Sequence, residues 1–292
     1  MTSSRASSRT SARASKAESP LRLCASQELT VAIRSRWTQI FAATFAVLAL
    51  AVAGSGYVLS GGTGVQDFAR TATSLTQLVV LVIPMMALLV GATSFSPERG
   101  TAELLFSQPV SRATIVIGKL LGLLEALTAA QALGFGAAGL VIFSQSGTDG
   151  LGGFALLFLG SVMLTAIFLS LSAWIAGGDS RRRTRALALA VVIWFAAVVL
   201  FDVAALGVAS LLRSGPASRV LMVAALVNPV DAVRTGALLG IQGTAAFGAA
   251  SLALLRFTNG AAGAAVAIAV SLVLWMVVPA TLAVRRAVRS DI

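Results

Sequence analysis

From Ile40 to Leu59 the chain runs twenty residues without a charged side chain. Comparable runs recur at 75–95, 120–143, 151–176, 186–212 and 263–284, interrupted only by Glu125 and Asp202. About 20 apolar residues of helix cross the hydrocarbon core of a bilayer. Inside lipid every backbone amide and carbonyl must be satisfied within the protein, so an isolated apolar run becomes a helix. The pattern predicts an all-α polytopic transmembrane helical bundle of six spans. Pro84 lies inside the second run, removes one backbone donor and is expected to kink that helix. The wider composition agrees: 57% of residues are hydrophobic and 11% are charged, where a soluble domain has about a quarter charged. An ordinary soluble enzyme and a disordered chain are both excluded.

Basic residues set the orientation, because cytoplasmic flanks collect Lys and Arg. With six spans, both termini and the loops at 96–119 and 177–185 share one side. That side holds 17 of the 22 Lys and Arg residues, leaving Arg70, Arg213, Arg219, Arg234 and Arg256 on the other. The expectation is that both termini are cytoplasmic and that the protein is a multi-pass component of the cell (plasma or inner) membrane. The apolar stretch 235–255 is long enough to cross, but a seventh span would carry Arg285, Arg286 and Arg289 outside. Residues 213–262 are therefore expected to form re-entrant or surface-lying helices on the outer face. The net charge of +11 serves this orientation and contact with membrane lipid. No nucleic-acid motif accompanies it.

At the amino end, residues 1–20 are rich in Ser, Ala and Arg and read as a disordered cytosolic tail. Residues 21–37 alternate apolar and basic groups and read as an amphipathic helix in the headgroup layer, with Trp37 at the interface. Residues 38–292 form the six-span domain.

The loop after span two is the most informative. Ser96 suits a helix cap, Pro97 the first helical position, and Glu98 the positive helix end. Residue 108 precedes a proline and is expected to be extended. A short helix at 97–107 is thus bounded on both sides and presents Leu104, Leu105 and Phe106, with Ser111 capping the helix that becomes span three. An apolar knob ringed by carboxylates suits docking into a groove of another protein. A loop helix lying on the bilayer is the other reading that the residues allow.

The block Glu98-Arg99-Gly100-Thr101-Ala102-Glu103-Leu104-Leu105-Phe106-Ser107-Gln108-Pro109-Val110-Ser111-Arg112, with Lys119, resembles the segment between the second and third spans of type-2 ABC transporter permeases. In that family the segment is the coupling helix that meets the ATPase subunit. The resemblance implies that Glu98, Gly100, Thr101, Glu103, Leu104, Leu105, Phe106, Pro109 and Arg112 couple the chain to a separate ATPase. It places ATP and Mg on that partner, with no cofactor in this chain. It also implies a second permease copy, most simply a homodimer.

A later block, Asn228-Pro229-Val230-Asp231-Ala232-Val233-Arg234, resembles the branch that serves maturation of the copper enzyme nitrous-oxide reductase. Locally, Asn228 can cap a helix, Pro229 fits its first position, and Asp231 meets free amides. Arg234 lies on the same face as Asp231 and can pair with it. Asn228, Pro229, Asp231 and Arg234 either initiate a helix or form an outer gate or docking corner for a periplasmic accessory protein.

Two acids stand inside spans. Asp202 is expected to face a bundle interior, protonated or partnered, since a carboxyl at mid-membrane costs about 2.5–3.5 kcal/mol. Glu125, nearer the cytosolic end of span three, can snorkel. Together they define a rival reading, a proton-coupled secondary transporter. A non-transporting membrane scaffold is a second rival. The glycines at 118, 122, 134, 136 and 139 permit close helix approach. With no histidine, a single cysteine (Cys24), no G-x-x-x-x-G-K-[ST] loop and no Gly-x-Ser-x-Gly elbow, the chain is not expected to be an enzyme or to hold its own metal centre.

Overall fold

The computed structural model describes residues 19–58, 65–96, 110–148, 150–176, 183–242 and 254–289. The helix read at 97–107, residues 1–18 of the tail read at 1–20, and 243–253 of the stretch read at 213–262 lie outside the described residues; Pro20, read as the end of the tail, opens a helix. Helix α1 (Pro20–Arg34) is followed by α2 (Arg36–Val58), α3 (Val65–Phe95), α4 (Arg112–Ser146) and α5 (Leu151–Ala176). Next, α6 (Arg183–Phe195) passes through a π turn (Ala196–Leu200) into α7 (Phe201–Ser210). Two short helices, α8 (Ser214–Val227) and α9 (Pro229–Gln242), precede α10 (Ala261–Arg289). Among the described residues six helices are long and apolar enough to cross a membrane: α2, α3, α4, α5, α6 with α7, and α10.

Helix α5 is the centre of the bundle. It carries no charge and is apolar on every side, the pattern of a helix surrounded by others. Leu157, Leu164, Ile167, Phe168 and Leu169 are each at most 1% exposed, enclosed by α3, α4, α9 and α10. In the most apolar stretches of α3, α4 and α5 half or more of the residues are buried within the chain (50–56%), against 17–22% in those of α2, α6–α7 and α10. The latter three therefore keep most of their apolar surface for lipid or another subunit. A ladder of rings, Phe41, Phe45, Phe135, Phe154 and Phe143, ties α2, α4 and α5 together with centroids 5.3–5.7 Å apart. Gly134 makes room for it: a Cβ there would lie 2.5 Å from the Phe45 ring.

Hydrocarbon offers no partner for a stray polar group, and one buried trio of polar side chains bonds within itself. Gln131 of α4 donates from Nε2 to Thr165 Oγ1 (2.6 Å) and accepts from Ser161 Oγ (2.8 Å), both on α5. All three are at most 1% exposed.

Helix α4 has 35 residues, about 52 Å at 1.5 Å per residue, well beyond the roughly 30 Å of the hydrocarbon core. Helix α1 lies along its first turns. At Gly122 an added Cβ would come within 2.4 Å of the Ala25 carbonyl, and at Gly118 within 2.5 Å of Cys24 Cβ. The two glycines, one turn apart, let the backbones touch.

Candidate functional site

The α8–α9 pair bends by 103° at Asn228. Each arm has 14 residues, about 21 Å, too short to cross alone. Helix α8 begins beside the Ser210 end of α7. Helix α9 finishes at the opening turn of α5, where a Cβ on Gly153 would lie 2.9 Å from Ile241. Both points belong to the same end of the bundle, so the pair dips inward and returns. The corner sits beside Ala197, thirteen residues or about 20 Å along the span from Ser210.

A helix break inside lipid leaves carbonyls and amides without partners, and three of them are met by particular side chains. Ser271 Oγ donates to the Leu226 carbonyl, and Trp275 Nε1, one turn further along α10, donates to the Val227 carbonyl at 2.7 Å. At the start of α9, Asn228 Oδ1 accepts from the Val230 amide at 3.1 Å, and Pro229 has no amide to satisfy. The π turn of the neighbouring span is answered as well. The Phe201 amide reaches back to the Ala196 carbonyl instead of to Ala197, which frees the Ala197 carbonyl. Asn228 Nδ2 donates to it at 2.7 Å and lies 3.2 Å from Asp231 Oδ2.

Arg234 closes the corner. Its Nη1 lies 2.7 Å from Asp231 Oδ1 and 2.7 Å from Asp202 Oδ2 of α7. The spacing of Asp231 and Arg234 on one face anticipated the first contact. Asp202 is the second partner, brought in from 32 residues away. The three side chains are 13–29% exposed, and a cavity of about 200 Å³ opens beside them, lined also by Leu221 and Thr235.

Glu125 takes no part. It lies on an exposed face of α4, and among the described residues no hydrogen bond or ion pair joins it to Asp202. The two acids of the proton-coupled reading are therefore not brought together.

The roots of the 97–109 segment are held at the opposite end of the bundle. Ser94, near the end of α3, donates from Oγ to Glu28 Oε1 of α1. Lys119 of α4 donates to the Ser94 carbonyl at 2.9 Å, lies 3.7 Å from Glu28 Oε2, and sits 5.6 Å from the centre of the Phe95 ring. Ser111 caps α4, accepting from the Thr114 amide at 3.2 Å, as its position implied. Arg112 donates to the Ala287 carbonyl of α10 at 3.4 Å. Of the residues assigned to coupling, Arg112 is described; Glu98, Gly100, Thr101, Glu103, Leu104, Leu105, Phe106 and Pro109 lie outside the described residues. Sequence reasoning missed Glu28 and Ser94. The available signal was that Glu28 is the one acid of the 21–37 stretch.

A further contact links the two ends. Pro84 interrupts the hydrogen-bond ladder of α3, and one turn earlier the Leu81 carbonyl accepts from Trp194 Nε1 of α6 at 2.9 Å. Trp194 stands three residues before Ala197.

Comparison with known proteins agrees with this architecture. Residues 23–292 match the family described as ABC-2 family transporter protein. Two relatives, each named probable ABC transporter permease protein NosY, come from Pseudomonas aeruginosa and Stutzerimonas stutzeri. Each is 32% identical over 235 residues, covering 78% of this chain and 85% of the relative. A partner ATPase subunit is implied by that family. The chain belongs to the ABC-2 transporter family, as a multi-pass membrane permease subunit of an ABC transporter and not itself an enzyme.

Proposed function

We propose that this permease converts the nucleotide cycle of a separate ATPase into movement of a six-span bundle, with residues 98–112 as the contact. The observation that carries the reading is the anchoring of that segment's roots. The Glu28–Ser94–Lys119 cluster fastens α3 and α4 to α1, and Arg112 fastens α4 to α10. Force applied between the roots is thus delivered to four helices together instead of being lost in loop motion. ATP and Mg act on the partner, and the end bearing the roots is cytosolic in the inner membrane.

From α3 the displacement passes through the Trp194–Leu81 contact to α6, then through Asn228 and the Asp202–Arg234 pair to the re-entrant corner. That corner, with Asn228, Pro229, Asp231 and Arg234, serves as the outer gate or as the seat of a periplasmic accessory protein. Two copies face each other across a path, as closed symmetric assembly favours, using the little-buried faces of α2, α6–α7 and α10. The likeness to permeases named NosY supports a cargo used in copper-site maturation of a nitrous-oxide-reductase-like enzyme.

The test is co-purification of the ATPase with the permease. Leu104→Asp combined with Leu105→Asp is expected to release the ATPase from membranes while the permease remains inserted. Survival of co-purification would overturn the coupling assignment.

A further inference from the structure

At the end of the bundle that bears the coupling roots, α5, α6 and α10 border an open cavity of about 280 Å³, lined by Trp174, Ile175, Arg185, Ala186, Leu189 and Arg286. Two arginines face one space, and among the described residues no carboxylate lines it or pairs with either. Arg286 is fixed in place by donating from Nη1 to the Trp174 carbonyl at 3.0 Å. That bond leaves the other donors of the guanidinium available to a ligand. Arg185 stands in the first turn of α6, where backbone amides have no acceptor within the helix and the helix dipole favours negative charge. Trp174 is 40% exposed and Leu189 38% exposed, so apolar wall continues from the basic mouth toward the lipid-facing side. A phosphate bearing a negative charge fits the mouth, and its glycerol and acyl groups fit the wall.

We propose that this cavity is a binding site for an anionic phospholipid of the leaflet at that end of the bundle. Planar guanidinium groups hold phosphate by paired hydrogen bonds, and basic pockets between spans recognise lipid headgroups. A zwitterionic ethanolamine lipid would bring its ammonium against two arginines, so the site discriminates by headgroup charge. An occupied site would bridge α10 to the facing ends of α5 and α6 through a ligand, adding to the Arg286–Trp174 bond.

The test uses the permease purified with its ATPase subunit in mild detergent. Phosphatidylglycerol and phosphatidylethanolamine are titrated separately and retained lipid is counted by native mass spectrometry. Phosphatidylglycerol is expected to be retained preferentially. Arg185→Ala or Arg286→Ala should each weaken it about fivefold, and Arg286→Lys, which keeps the charge and loses the planar fork, should weaken it less. Arg285→Ala, about 100° round the same helix, should leave retention unchanged. Inorganic phosphate at millimolar concentration should not displace the lipid. Equal retention of both lipids, equal effects of Arg285→Ala and Arg286→Ala, or displacement by phosphate alone would overturn the proposal. So would loss of the ATPase subunit from the Arg185→Ala and Arg286→Ala variants with lipid still bound, since the arginines would then face a protein.

Discussion

Replacing Arg234 by Ala removes the cation that, among the described residues, pairs with both Asp202 and Asp231. Two unit charges about 4 Å apart interact by about 4 kcal/mol at an effective dielectric near 20. Without the guanidinium, Asp202 and Asp231 face each other in a site where their side chains are 29% and 13% exposed. Breaking a buried pair by deleting one partner costs about 3–5 kcal/mol. Arg234 retains 23% exposure, so solvent screening lowers the expected loss to about 2–4 kcal/mol. Asp202→Asn behaves differently. It leaves Arg234 paired one-to-one with Asp231, and the amide oxygen still accepts from Nη1, so the expected cost is below about 1 kcal/mol. Adding Asp202→Asn to Arg234→Ala should recover a large part of the loss, since one of the opposed charges disappears. The assay is equilibrium unfolding in mixed detergent micelles followed by tryptophan fluorescence; Trp275 donates to the Val227 carbonyl at the corner, and Trp194 stands three residues before Ala197. An Asp202→Asn cost equal to that of Arg234→Ala would refute the charge argument, as would a double variant no more stable than Arg234→Ala.

Two polar clusters of similar appearance should respond unequally to mutation in the same unfolding assay. Asn228→Ala orphans the Ala197 carbonyl and the Val230 amide and should cost about 2–3 kcal/mol, whereas Gln131→Leu should cost under about 1 kcal/mol. The reason is that Ser161 and Thr165 keep bonds to the Phe158 and Ser161 carbonyls of their own helix. Gly122→Leu forces α1 off α4, because its Cβ would meet the Ala25 carbonyl. Measured in proteoliposomes with the ATPase bound, it should lower transport per ATP hydrolysed while leaving ATPase co-purification intact, and unchanged transport stoichiometry would contradict the role given to the root cluster.

The six spans were legible because each is a long run of one chemistry, and a bilayer imposes a length and a helix on such a run whatever its neighbours do. Local caps were equally legible: Ser111 and Asn228 act on amides two or three residues ahead. The Asp231–Arg234 pair followed from helical spacing alone. Contacts between distant segments were not legible in this way. Nothing near Asp202 announces Arg234 as its partner, and nothing near Ser94 announces Glu28, 66 residues away. The π turn at Ala196–Leu200 gives no sign in an unbroken apolar run; it becomes intelligible only beside the Asn228 side chain that answers the Ala197 carbonyl.

What the sequence determined by itself was the solvent this chain lives in, the number of helices that cross it, and the local chemistry of its helix ends. These depend on composition and on neighbours within one turn. Tertiary structure alone decided that the bent pair at 214–242 dips into the bundle, that Asp202 pairs with Arg234, and that Glu28 and Lys119 hold the coupling roots. Such pairings depend on which helix lies beside which. In lipid that choice is made by close packing at small residues and by the need of every buried polar group for a partner, neither of which a linear pattern records.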